Sequence, residues 1–256
     1  MQIFGIDLWR IILCAVLITL VIKRANIVAF FGRLKYSKGD TDGALKIFAV
    51  ADKVGNLNVT NQEIYGYMLL RTGNPDRAET QFRRILPMTK RDSAARYKLK
   101  NLLALTYWKQ GHLDEAIEEL EEVIDADFKT TQIYQNLGIL YNLSGDTEKA
   151  IKFNLKAYDY NADDNIITDN LADSYAISGD YEKAAEIYGE LMSRENKPEF
   201  PEAYYGYGRV LCKLGKKSEG IEMIKKSFDK PFSYMSVKSK QDVEKMLEEY
   251  ENSDGE

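Results

Sequence analysis

Apolar positions are spaced in three ways along the chain. From Ile11 to Ile22 they are nearly continuous, IILCAVLITLVI, with no charged side chain. From about residue 25 to 232, small and large apolar positions recur in short blocks divided by glycines and polar turns. Near the end, Val243, Met246, Leu247 and Tyr250 fall at i, i+3, i+4 and i+7, on one face of a last amphipathic helix. Five prolines in 256 residues permit long helices. The pattern therefore predicts an all-α chain with an apolar helix at its start.

Twelve apolar residues at ~1.5 Å rise reach only ~18 Å, short of a hydrocarbon core of ~30 Å. Extending back to Ile3 gives a full span, so a transmembrane helix is expected over residues 3–24. Lys23, Arg24, Arg33, Lys35 and Lys38 follow it, and positive flanks stay in the cytoplasm. The expectation is a single-pass protein of the cell membrane with its bulk facing the cytoplasm. A cleaved signal peptide fits less well, because no small-x-small site follows the run.

The blocks after the anchor repeat. Ser144–Ala150 reads SGDTEKA and Ser178–Ala184 reads SGDYEKA. Related phrases begin at Gly39, Gly73, Gly111, Gly145, Gly179 and Gly215, with spacings of 34, 38, 34, 34 and 36 residues. Seven residues before each of these glycines stands a small residue: Gly32, Gly66, Ala104, Gly138, Ala172 or Gly208. Five after stands another: Ala44, Ala78, Ala116, Ala150, Ala184 or Gly220. Small residues let two helices cross closely. Large ones occupy most places four before and nine after, with departures at Lys35 and Asn154, where neighbouring Tyr36 and Phe153 are candidates to fill the gap. The glycine suits a left-handed turn closing the first helix, and the following polar residue suits the cap of the second.

A 34-residue helix–turn–helix unit resembles the tetratricopeptide repeat. Six copies are read at 25–58, 59–92, 97–130, 131–164, 165–198 and 201–232, together 25–232, with insertions only between units. A capping helix is expected at 233–251 and a disordered tail at 252–256. The resemblance implies a right-handed superhelical solenoid whose first helices line a concave groove.

Chemistry is sparse. The two cysteines, Cys14 and Cys212, lie far apart and suggest no disulfide or zinc site, and His112 is the single histidine. No phosphate-binding loop, nucleophile elbow or CxxC pair occurs. No enzyme activity, cofactor, metal site or small-molecule substrate is expected. Residues 1–38 carry a net charge of +5 and the whole chain −5, which leaves −10 on the remainder. An acidic body argues against a nucleic-acid partner. The acidic run Asp114–Asp127 falls on a second helix and reads as a solvated outer face, with a docking patch for a basic partner as the alternative.

By the register of the resemblance, Lys98, Asn101 and Trp108 point into the groove in the third unit, and Gln132, Gln135, Asn136 and Asn142 in the fourth. Asp169, Asn170 and Asp173 follow in the fifth, and Tyr205, Arg209 and Lys213 in the sixth. Lys98, Asn101, Asn136, Asn170, Asp173 and Arg209 form the candidate peptide-binding set. Asn136 and Asn170 occupy equal places, where an amide facing solvent suits an extended peptide backbone. A carboxylate clamp of the kind that grips acidic chaperone tails is disfavoured, because Asn101, Leu105, Ile166 and Asn170 stand at four of its five places. The expected function is a membrane-anchored scaffold for a protein or peptide partner. The second reading is a non-catalytic accessory subunit of a membrane-associated enzyme or envelope-assembly complex.

Overall fold

The computed structural model describes residues 2–3 and 6–252. They fall into two compact units, residues 1–90 and 91–256.

The first unit opens with two antiparallel two-residue strands, β1 (Gln2–Ile3) and β2 (Ile6–Asp7). Helix α1 (Leu8–Ser37) follows without a break, because no glycine or proline interrupts residues 24–31. Its start is the apolar run, with Trp9, Ile12, Leu13, Val16, Leu17 and Ile18 exposed. Over Ile12–Ser37 it is long and apolar enough to cross a membrane, and so near the N-terminus a signal sequence takes the same form. The later turns of α1 bury Ala25, Ala29 and Gly32 in contact with α2 (Thr41–Val54). The composition changes at residues 24–25, but the helix does not: the apolar helix and the first helix of the first repeat are one rod. Helices α3 (Val59–Arg71) and α4 (Pro75–Ile85) pair next.

The second unit holds α5 (Ala94–Gln110), α6 (Leu113–Asp125), α7 (Thr131–Ser144), α8 (Thr147–Tyr160), α9 (Asn165–Ser178), α10 (Tyr181–Ser193), α11 (Pro201–Lys213) and α12 (Lys217–Ser227). All six turn glycines have φ between 78° and 90°, the left-handed conformation that closes a first helix. Asp146 and Asp180 cap the next helices, accepting from Lys149 N and Lys183 N at 3.0 Å. Each first helix packs on the next, α5 on α7, α7 on α9 and α9 on α11, whereas no two second helices pack comparably. The first-helix side is thus the inner face of this unit.

Of the two residues proposed to fill the departures, Phe153 packs against the core and Tyr36 does not. Tyr36 is exposed and Lys35 instead pairs with Asp40 at 2.8 Å. The equivalent Tyr141 shows why: its hydroxyl donates to Glu121 of the preceding repeat at 2.5 Å, and no repeat precedes Lys35 among the described residues. Phe153 is half-buried, against Tyr134 and Tyr141, while Asn154 keeps its own place, fully buried. The last helix, α13 (Lys240–Asn252), starts seven residues later than the expected 233, after an irregular stretch. Its start is set by a reciprocal cap: Ser239 N donates to Asp242 Oδ2 at 3.1 Å, and Asp242 N to Ser239 Oγ at 3.2 Å. Val243 seats it against Tyr205 and Ile224. Of the expected tail, Asn252 ends α13 and residues 253–256 lie outside the described residues.

Candidate functional site

All six candidate residues lie on first helices of the second unit, α5, α7, α9 and α11, and they divide into two groups. The amides bond to the protein itself. Asn136 Nδ2 donates to Asn101 Oδ1 at 2.7 Å, joining α7 to α5. Asn170 Nδ2 donates to Gln135 O at 2.9 Å, joining α9 to α7. Asn101 and Asn170 are each only 3% exposed, so the expectation that the paired asparagines face solvent is not met by Asn170. Around them, Asn142 Nδ2 donates to Asn170 O, and Asn154 Nδ2 to Asn142 Oδ1 and Ser174 Oγ, at 2.8–3.0 Å. Two first helices that approach this closely leave polar side chains no water, so each must find a protein partner. Gly138 lets both α8 and α9 approach α7, since a Cβ there would collide with Asn154 Oδ1 and lie 2.9 Å from Asn170 Nδ2.

The charged residues form the second group. Arg209 Nη2 donates to Asp173 Oδ1 at 2.7 Å, with about a third of each side chain open. Asp169, one turn before Asp173, is 7% exposed, and its Oδ1 has no hydrogen-bond partner. Burial, then the neighbouring charges of Asp173 and Glu202, push its carboxyl well above the usual range, against the pull of Arg209 and the Tyr188 hydroxyl. Lys98 is exposed.

Sequence reasoning missed two residues that complete this end. Lys109 stands in the last turn of α5 and Glu202 in the first turn of α11, where the helix dipoles favour a cation and an anion respectively. Burial lowers the Lys109 ammonium to about 8 and raises the Glu202 carboxyl. Both hold the irregular stretch before α13. Lys109 Nζ donates to Ser236 O at 2.9 Å, and Val237 N donates to Glu202 Oε1 at 2.9 Å. Lys109 Nζ also lies 3.7 Å from the Trp108 ring centre and 5.5 Å from that of Tyr234. The Tyr234 hydroxyl reaches Lys109 O at 3.4 Å. The signal available in the sequence was the stretch itself: twelve residues separate α12 from α13, long for a connection between packed helices.

The outer face is plainer. Glu119 pairs with Lys100 at 3.2 Å, and Glu121 with Lys149 at 2.6 Å, so two of the eight carboxylates in the acidic run have these cationic partners within the fold. His112 is exposed, 3.6 Å from Glu115. Among the described residues no group of three or more His, Cys, Asp or Glu side chains is placed to hold a metal ion.

A family model described as tetratricopeptide repeat matches residues 101–165 and 170–226. No curated protein sequence matches the chain. A tetratricopeptide repeat protein from Parabacteroides merdae shares its fold with a TM-score of 0.74 at 14% identity, over 90% of this chain and 85% of that one. A thermophilic tetratricopeptide repeat protein of Thermus thermophilus gives 0.60 at 18% identity, over 75% of this chain and 98% of that one. PilW, titled a widely conserved type IV pilus biogenesis factor, gives 0.64 at 16%, over 80% and 92%. At such identities the likeness is one of fold. The turns, crossings and family match agree: residues 101–165 and 170–226 match the tetratricopeptide repeat family within a helical solenoid of that fold, and the N-terminal apolar helix is a candidate membrane anchor.

Proposed function

We propose that the protein is a membrane-anchored cytoplasmic scaffold that holds an unstructured segment of a partner protein on its inner face. The fold indicates a protein–protein interaction scaffold, and the family is typically non-catalytic. The observation that carries the finer reading is that this face already grips backbone from outside the repeat array: Lys109 takes a carbonyl and Glu202 the next N–H. Lys98 on α5, Asp173 on α9 and Arg209 on α11 supply charge selection along the first helices of the same unit. Asn101, Asn136 and Asn170 contribute by holding those helices in register, with Asn136, half-buried, the amide nearest to a ligand's reach.

The apolar start of α1 is the anchor, and the basic residues after it keep the repeats in the cytoplasm. Because α1 runs unbroken into the first repeat, the scaffold stands directly at the membrane surface, with no flexible spacer there.

The test is quantitative affinity capture from detergent-solubilised membranes with three baits: wild type, Lys98→Glu/Arg209→Gln on the inner face, and Glu115→Lys/Glu118→Lys on α6. A partner retained by wild type and the α6 variant but lost by the inner-face variant is the expected result. Equal retention by wild type and the inner-face variant, or loss only with the α6 variant, refutes the groove reading.

A further inference from the structure

We infer that the Phe232–Lys238 segment is a built-in occupant of the inner face, and that a partner segment binds by displacing it from Lys109 and Glu202. This rests on the groove reading above and adds its regulation.

The geometry singles out this segment. It leaves α12 and returns to α13, which pack on each other, so the chain needs no excursion to connect them. Yet between them it reaches Lys109, 127 residues away in sequence from Ser236, on a first helix three repeats earlier. It thereby bridges α5 and α11, which are separated in the stack by α7 and α9. Its root is fixed: Phe228 and Phe232 stack at 6.1 Å, and Lys230 pairs with Glu199 at 3.1 Å. Its tip is a single turn, with Ser236 N donating to Ser233 O at 3.0 Å. The segment makes no helix or strand of its own, so its attachment is the handful of contacts at the tip.

Those contacts are of the exchangeable kind. The Lys109 and Glu202 hydrogen bonds given above are to backbone, and any chain offering a carbonyl followed by an N–H satisfies that pair; the Ser236 side chain adds a further bond to Glu202. The Tyr234 ring near the Lys109 ammonium adds a cation–π contact that an aromatic residue of a partner could replace. Both side chains are only half-buried with the segment seated, so displacing it returns them to water and strands neither charge in the interior. The ligand this predicts is an uncharged turn-forming segment with an aromatic residue two or three positions before the gripped N–H, as Tyr234 stands before Val237. While the strap is seated, the apparent affinity for such a ligand falls by the fraction of molecules in which it is open.

The probe is a fluorescein-labelled synthetic peptide of residues 230–239, KPFSYMSVKS, titrated against the full chain in detergent. The loosened variant is Tyr234→Ala/Val237→Pro, which removes the ring and the N–H given to Glu202 but leaves every groove residue intact. Far-UV circular dichroism confirms its fold. We expect the peptide to bind the loosened variant at least about ten-fold more tightly than wild type, and Lys109→Met in that background to abolish the gain. Wild-type amides at 233–238 should exchange with deuterium slowly when free and faster with saturating peptide. Equal affinity for wild type and the loosened variant, or no binding to either, overturns the strap. The capture experiment would still decide the groove reading, since a groove with no strap loses its partner in Lys98→Glu/Arg209→Gln all the same.

Discussion

Gly138→Ala tests the packing with one methyl group. A Cβ at residue 138 falls inside the contact distance of Asn154 Oδ1 and 2.9 Å from Asn170 Nδ2. Neither amide can retreat cheaply. Asn154 is held to Gly138 O, Asn142 Oδ1 and Ser174 Oγ at 3.3, 3.0 and 2.8 Å, and Asn170 to Gln135 O at 2.9 Å. Overpacking a close-packed site costs about 1–3 kcal/mol, and each hydrogen bond lost adds about 0.5–1.5 kcal/mol. With one or two lost, the substitution should cost about 2–5 kcal/mol. At ~2–4 °C per kcal/mol for a chain of this size, Tm should fall by about 4–20 °C. The assay is thermal and urea unfolding of the full chain in detergent, read by circular dichroism. Midpoints are the quantity to compare, because repeat arrays need not unfold in two states. Asn170 belongs to the next repeat, so hydrogen exchange should quicken in α9 as well as in α7 and α8. The third repeat places fully buried Ala104 and Leu120 at the equivalent positions. Gly138→Ala/Asn154→Leu copies that pair and should be less destabilised than Gly138→Ala alone. A Gly138→Ala midpoint unchanged from wild type would refute the crossing drawn here.

Two further outcomes are expected. Asp169 has its carboxyl raised in the fold, so its contribution is intact below the unfolded value near 3.8 and is lost as pH rises through the folded value. The Tm of Asp169→Asn should therefore match wild type near pH 4 and exceed it increasingly towards pH 7; a pH-independent gap would show that burial beside Asp173 and Glu202 is misjudged. For topology, a C-terminal reporter active only outside the cytoplasm should stay silent in the full chain, and deleting residues 1–24 should release the protein from membranes. An active reporter reverses the orientation, and a membrane-bound deletion removes the anchor.

The repeat register was legible because it rests on local chemistry repeated six times. Gly145 and Gly179 are read from sequence as turn residues and adopt the left-handed conformation such turns need. Small residues at the crossings read equally well, since nothing larger fits between Gly208 and the Gly220 carbonyl. What one repeat's sequence cannot carry is its dependence on the neighbouring one. Asn154 looked like a defect in an apolar position, but it is sustained by Asn142 and by Ser174 from the following repeat. Asn170 looked like a free groove amide because register fixes the direction of a side chain, not the distance to the next helix. Lys109 and Glu202 were invisible for the same reason: each is an ordinary charge at a helix end until the loop after α12 folds back between them.

The inner face thus does two kinds of work with two kinds of polar group. The buried amides bond to adjacent first helices, so breaking one strands a donor or acceptor out of reach of water, at about 1–3 kcal/mol. That suits them to setting the spacing of the repeats and makes them poor choices for contacts that form and dissolve. Lys109 and Glu202 have the opposite character: their partners come from a loop, and losing that loop exposes them to solvent again. A substitution at Asn170 should accordingly lower ligand affinity only as far as it loosens the stack. A substitution at Lys109 or Glu202 should change affinity while the unfolding midpoint stays nearly fixed. The separation of these effects follows from whether a polar group's partner lies inside the repeat array or outside it.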